Sequence, residues 1–500
     1  LQNTSEHRSL RRTAFVVFLF FSFLYAFTSS GRPRTPDEYG AYFETESLVM
    51  RQSLAIPQAV TLGYYYGIPD RFGEPRSPYP GAQALVASPF YAAGKIAISI
   101  LKPTHLIVRL YVLAFFTTLS NALITAATIA VLFLLLTRIG YSRRASLLTV
   151  SCAALTTMAW PYAGYFFSEP LAGLLIVLAA FTFFGREASG GATELSWKAA
   201  MVGALVLAAL PWVRVTHALA APVFCLALMI GWKPAKWLRP VAFIAVAVGM
   251  SVGAYLLYNH HLYGDFFQFG YPEAAEGGRQ LNSFTTPPQV GLVGLLFSPG
   301  KSIFIYLPMT ILGIIGFKRF RDHSRGLAMA GVFLPVAYLL FYMTYAQWEG
   351  GRCLGPRYML PALLLLCIVA APLLGEPKAG GRVAAWIICG IGAVVQIVSM
   401  ATSFLEGVMS HGYYDSALNY RLSFFHLGLQ WDLLWGYLTG ALKQQPGLGW
   451  DRWFVFLHQI GVSTGFIAAI AIVEVLCAVA CGWWILREFR RWGSELGQQS

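Results

Sequence analysis

The sequence predicts an all-α, polytopic membrane protein, and three observations predict it. Hydrophobic residues make up 57% of the 500 positions and charged residues only 12%, against the roughly 25% charged expected of a soluble globular chain. Apolar stretches of about 17 to 25 residues recur along the whole length, each long enough to cross a hydrocarbon core of ~30 Å. The basic residues alternate between connectors, which gives the spans a direction.

That alternation also disposes of the net charge of +13. Arg8/Arg11/Arg12, Arg138/Arg143/Arg144, Lys233/Lys236/Arg239, Lys318/Arg319/Arg321/Arg325 and Arg487/Arg490/Arg491 occupy short connectors or ends rather than one patch. This positive-inside pattern accounts for the charge without a nucleic-acid partner. The seven cysteines are scattered, mostly within apolar spans, and form neither a disulfide framework nor a CxxC spacing.

About twelve spans are expected, over 13-30, 109-137, 145-160, 170-184, 199-212, 215-231, 240-258, 302-317, 327-346, 359-375, 383-402 and 460-486. Residues 1-500 then form one transmembrane domain with both termini cytoplasmic, the plasma (inner) membrane being the expected location. The stretch Thr13 to Phe27 could be read as a signal peptide, but Ser-Ser-Gly-Arg-Pro-Arg follows it rather than a clear small-residue cleavage site. Cytoplasmic connectors are short, whereas three outer segments are long: 31-108, 259-301 and 403-459. This asymmetry places the working parts on the periplasmic or extracellular side.

The first outer segment carries helix signals. Thr35-Pro36-Asp37-Glu38 reads as an N-cap, a proline at the first helical position and a capping-box acid three residues after the cap. The helix is expected to run through Met50. From Tyr64 to Pro89, Tyr, Pro and Gly predict an ordered irregular loop, with Leu85-Tyr91 near the interface.

Candidate chemistry follows from carboxylates and cations assigned to the outer face. Asp37 and Glu38 would complement a helix dipole in the bland reading; in the functional one, either could take a proton from a hydroxyl. Glu169, in Tyr165-Phe166-Phe167-Ser168-Glu169-Pro170, would be an N-cap or interfacial residue, or else a functional acid beside apolar surface. Arg76, Lys301, Arg352 and Arg357 are candidate phosphate ligands, the last two in a Gly-rich turn running from Trp348 to Tyr358; alternatively they meet lipid headgroups. Ser298-Pro299-Gly300-Lys301 lacks P-loop spacing. Histidines 217, 260, 261 and 411 show no zinc-binding spacing. No metal ligand is assigned, although a divalent cation, Mg or Mn, held between Asp37 or Glu38, Glu169 and a substrate phosphate is compatible with the residues. Aromatic clusters such as Tyr64-Tyr65-Tyr66 and Tyr413-Tyr414 read mostly as interfacial belt, a minority as sugar-stacking surface.

With these motifs in place, the chain resembles the GT-C glycosyltransferases that use polyprenyl-phosphate sugars, a group including aminoarabinose transferases and protein O-mannosyltransferases. Pro36-Asp37-Glu38, with Tyr42 beyond it, looks like the acidic motif opening the first outer loop, and the family's catalytic aspartate would fall on Asp37. Arg76-Ser77-Pro78-Tyr79 lies where aminoarabinose transferases place a Lys-Pro-Pro segment, and departs from it in Arg for Lys and an extra Ser. Glu169-Pro170 is similar to the second acidic motif, where mannosyltransferases usually show Asp. The resemblance implies a polyprenyl-phosphate sugar donor, a lipid, glycan or protein acceptor, surrounding membrane lipids, and inversion at the anomeric carbon. It also implies that Arg76, Arg352, Arg357 and Lys301 hold the departing phosphate. A transporter or lipid flippase is the rival expectation, with Arg214-Val215-Thr216-His217 its one candidate site; a non-catalytic scaffold is the third.

Overall fold

The computed structural model describes residues 2-185, 195-272, 283-375, 381-409, 416-441 and 450-497. His411, Tyr413 and Tyr414 lie outside the described residues. Helices dominate the rest, and among the described residues β structure is limited to isolated bridges.

The first half runs through α1 (Gln2–Phe27), α2 (Pro36–Arg51), α3 (Pro57–Thr61), α4 (Ala82–Leu101), α5 (Leu106–Arg138), α6 (Arg143–Leu155), α7 (Ala159–Ala163), α8 (Glu169–Phe184), α9 (Trp197–Val213), α10 (Ala220–Gly231) and α11 (Pro234–Tyr263). The second runs through α12 (Pro288–Phe297), α13 (Ile303–Tyr306), α14 (Met309–His323), α15 (Arg325–Tyr342), α16 (Leu360–Ile368), α17 (Ala371–Gly375), α18 (Arg382–Ala401), α19 (Phe404–Met409), α20 (His426–Leu438), α21 (Trp453–Gln459) and α22 (Thr464–Gly497). Every expected span falls on one of these helices or on a broken pair of them. Seven described helices are long and apolar enough to cross a membrane, and five more apolar helices are shorter.

The chain is an integral membrane protein, and its exposed side chains agree. Met250, Leu257, Val383, Val394 and Leu476 are each more than 60% exposed, an apolar surface that is stable against lipid and a liability in water. Helix α8 is apolar all round and lies at the centre, packed against α5, α9 and α16, as expected of a helix with no polar face. Its own Phe183 and Phe184 are fully buried and pack against Phe224 of α10.

The reading of 64-89 as irregular loop ends too late. Helix α4 starts at Ala82 and is itself apolar and 20 residues long. It packs antiparallel to α5: Gln83 Nε2 donates to Asn121 Oδ1 at 2.8 Å, while Gly94 meets Leu113 and Phe116. The Pro-rich run that hides this helix from sequence inspection lies mostly before it, and Pro89 is accommodated within it.

Candidate active site

The capping box expected at Thr35 is present, and it does more than start α2. Thr35 Oγ1 accepts from the Glu38 N–H at 3.3 Å, and Glu38 Oε2 accepts from the N–H groups of Thr35 and Arg34 at 3.0 and 3.1 Å. Its other oxygen, Oε1, accepts from the Phe166 N–H at 2.8 Å. Glu38 therefore ties the first acidic segment to the stretch immediately before Glu169. Burial pushes the Glu38 carboxyl above its ordinary value, opposed by Arg34 and by these N–H groups. Both Glu38 oxygens are thus bonded, and the residue is fully buried.

The other side of that stretch is held by Asn121, whose Nδ2 donates to the carbonyls of Tyr165 and Phe167, each at 2.7 Å. So α2, α4 and α5 all converge on residues 165-167, and Glu169 follows as the first residue of α8.

Asp37 and Glu169 are joined by an arginine. Arg357 Nη1 donates to Asp37 Oδ2 at 2.7 Å, and its Nε lies 3.5 Å from Glu169 Oε1. Arg214 Nη1 approaches the same Glu169 oxygen at 3.6 Å. Aromatic faces sandwich the guanidinium groups: Phe167 lies 4.4 Å from Arg357, and Tyr358 lies 4.3 Å from Arg214. Three of the four side chains are nearly fully buried, whereas Asp37 keeps 22% of its surface exposed. Neither Glu169 oxygen accepts a hydrogen bond, and the Nε atoms of Arg214 and Arg357 donate none. Buried groups with so much unmet capacity are costly unless something polar is received there.

This cleft is lined by Asp37, Tyr79, Gln83, Phe167, Glu169 and Arg214 among others. Arg214 also faces a second, largely apolar cavity of about 360 Å³ formed by Leu219, Phe269, Phe341, Tyr342 and neighbours. It can do so because the chain breaks there: Arg214 is extended (φ −163°) between α9 and the short 3-10 turn Val215–Leu219.

The expected phosphate ligands are dispersed. Arg357 is in the cleft, but Arg76 pairs with Asp70 (Nε to Oδ2, 2.8 Å) in a neighbouring chamber. Burial acts to raise the Asp70 carboxyl, yet Arg76 and two backbone N–H groups hold it below its ordinary value. Lys301 is fully buried, its Nζ donating to the carbonyls of Cys353 (2.7 Å) and Gly351 (3.1 Å). It braces the Gly-rich turn from behind, so its charge is spent on carbonyl oxygens. Arg352 is exposed on that turn and is not among the residues lining the cleft. The glycines are needed here: Gly355 has φ +55°, and a Cβ on it would sit 2.8 Å from the Tyr306 ring and 2.9 Å from the Met158 sulfur.

Among the described residues no group of three His, Cys, Asp or Glu converges, and the cation between Asp37 and Glu169 is the Arg357 guanidinium. His260 stacks on Phe266, and His261 lies tilted against Phe72.

In overall structure the chain is similar to ArnT from Cupriavidus metallidurans. Against the crystal structure bound to undecaprenyl phosphate the sequence identity is 14% and the TM-score 0.46, covering 97% of this chain and 77% of that one. Against the apo state the values are 15% and 0.46, covering 98% and 78%. No protein-family model and no curated protein sequence matches.

Proposed function

We propose that the protein is a membrane-embedded glycosyltransferase of the GT-C type, moving a sugar from a polyprenyl-phosphate donor to an acceptor hydroxyl at the outer face of the plasma (inner) membrane. One observation carries this reading: Arg214 lines both the polar Asp37 cleft and the apolar cavity beside it. A lipid phosphate has that same division, an anionic head on a hydrocarbon tail. The motif resemblance around Asp37 and Glu169 supports it independently.

In this scheme Asp37, the most exposed of the four charged groups, takes the proton of an acceptor hydroxyl as its oxygen attacks the anomeric carbon. The bond from that carbon to the phosphate oxygen breaks, and polyprenyl phosphate leaves with the electron pair from the opposite face, giving inversion. Arg214 and Arg357 face the developing charge. Fixed donors at such a position are typically worth ~3–4 kcal/mol each. Glu169 holds both guanidiniums in place, and Glu38 holds α2 against residues 165-167. Acceptor chemistry stays general: a hydroxyl on a lipid, a glycan or a protein.

The helix break at Arg214 favours a second reading, because transporters and flippases build their sites at interrupted helices. Such a protein would move the lipid and leave the glycosyl bond intact. Purified protein in detergent, offered a panel of polyprenyl-phosphate sugars with membrane extract as acceptor, separates the two. Release of polyprenyl phosphate from one donor supports transfer; binding without cleavage of any donor supports carriage.

A further inference from the structure

We propose that the cavity between the end of α4 and the first turns of α5 is a discrete binding site for the headgroup of an anionic membrane phospholipid. It measures about 540 Å³, and its lining includes Lys95, Lys102 and Arg109 but no acidic residue. Glu46, which approaches one wall, is committed to Tyr91 Oη and Gln58 Nε2, each at 3.0 Å. Lys102 closes α4 in a left-handed conformation, φ +45°, which fixes where its side chain departs. The N-cap of α5, His105, makes no side-chain capping bond, so the positive end of a 33-residue helix adjoins the three cations.

Depth and surroundings make the occupant a lipid. Tyr111 Oη donates to the Ser30 carbonyl at 2.6 Å, just beyond the end of α1, which places Arg109, about 3 Å further along the α5 axis, at the boundary of the membrane. Around the mouth, Ile96, Ile100, Leu106 and Leu110 are 61%, 73%, 68% and 51% exposed. Phosphate oxygens would meet the cations while acyl chains run along these aliphatic side chains; a free phosphate would use only the first half of the site. Lys95 lies twelve residues beyond Gln83, so α4 carries this site about 18 Å from the Asp37 cleft, and the inference does not depend on the reaction assigned there.

The test is native mass spectrometry of the full chain in detergent, titrated separately with phosphatidylglycerol and phosphatidylcholine, for wild type and for the combined Lys95→Gln, Lys102→Gln, Arg109→Gln variant. Wild type is expected to retain one phosphatidylglycerol in preference to phosphatidylcholine. The variant, whose three changes are all on exposed residues, should melt like wild type without lipid and bind phosphatidylglycerol on the order of a hundredfold more weakly. Equal retention by variant and wild type, equal retention of the two lipids, or full displacement by millimolar inorganic phosphate would each overturn the proposal.

Discussion

Arg357 and Asp37, separated by 320 residues of chain, form a 2.7 Å ion pair. The pair joins the Gly-rich turn before α16 to the first turn of α2, and through Glu169 it extends to Arg214. Two arginines and two carboxylates thus share one small, largely buried volume, and their substitution should have consequences that depend on which partner is left behind.

Replacing Arg357 by Met leaves Asp37 without its short partner and Glu169 with only the longer contact to Arg214. Breaking a buried pair from one side typically costs ~3–5 kcal/mol, so a clear drop in thermal midpoint in detergent is expected. Arg357→Lys keeps the charge but loses the planar fork that reaches both acids; it should fold better than Arg357→Met while still turning over poorly.

Glu38 and Asp37 are adjacent and should behave differently. Glu38→Ala removes a cap and a tie to Phe166, a loss on the order of 1–2 kcal/mol for a cap of this kind, read as a lower melting midpoint. Glu38→Gln, whose amide oxygen can still fill the capping box while its NH2 is turned toward the Phe166 N–H, should recover the cap but not the tie, and so part of the stability and most of the activity. Abolished activity in a well-folded Glu38→Gln protein would assign Glu38 the proton transfer instead.

Arg214 is the residue that links the polar and apolar cavities, and Arg214→Gln should separate binding from turnover. A loss of kcat on the order of a hundred- to a thousandfold is expected for a donor to a departing anion, with a smaller change in donor KM. A change confined to KM would make Arg214 a tail-side anchor only.

A second ion pair gives a pH prediction. Asp451 accepts from Arg34 at 2.6 Å, with Arg32 3.6 Å from its other oxygen, joining the segment after α1 to the segment before α21. Burial acts to raise the Asp451 carboxyl, but Arg34 and Arg32 outweigh it and hold it below its ordinary 3.8. A depressed carboxylate stabilises the fold fully above its unfolded value and loses that contribution as pH falls through the folded one. The gap in melting midpoint between wild type and Asp451→Asn should be wide at neutral pH and narrow only below pH 3.8. A constant gap across that range would show that the charge is immaterial.

Helices and chemistry were legible in the sequence to different degrees. Span length and apolarity are local properties, so α5 to α11, α13 to α18 and α22 could be read directly, whereas α12, α19, α20 and α21 are short helices inside the segments 259-301 and 403-459 that read only as outer loops. The Thr35 capping box was legible because its four residues are consecutive. The Asp37–Arg357 pair was not: a count of cations on one face cannot say which of them meets an acid 320 residues away. Lys301 illustrates the same gap, since nothing in Ser298-Pro299-Gly300-Lys301 announces that Cys353 and Gly351 carbonyls will absorb its charge. Arg214 was visible, next to Pro211 at a helix break, but as a candidate for transport rather than as a neighbour of Glu169. The one signal for its role was an arginine between two apolar helices, where an unpaired charge is expensive.

The central claim is that Asp37 takes a proton from the acceptor as polyprenyl phosphate leaves. Its most direct test is single-turnover release of polyprenyl phosphate by wild type and by Asp37→Asn, each shown to fold and to bind the donor. Wild type should release it, and Asp37→Asn should bind the donor yet release almost none. Equal release by both would contradict the claim.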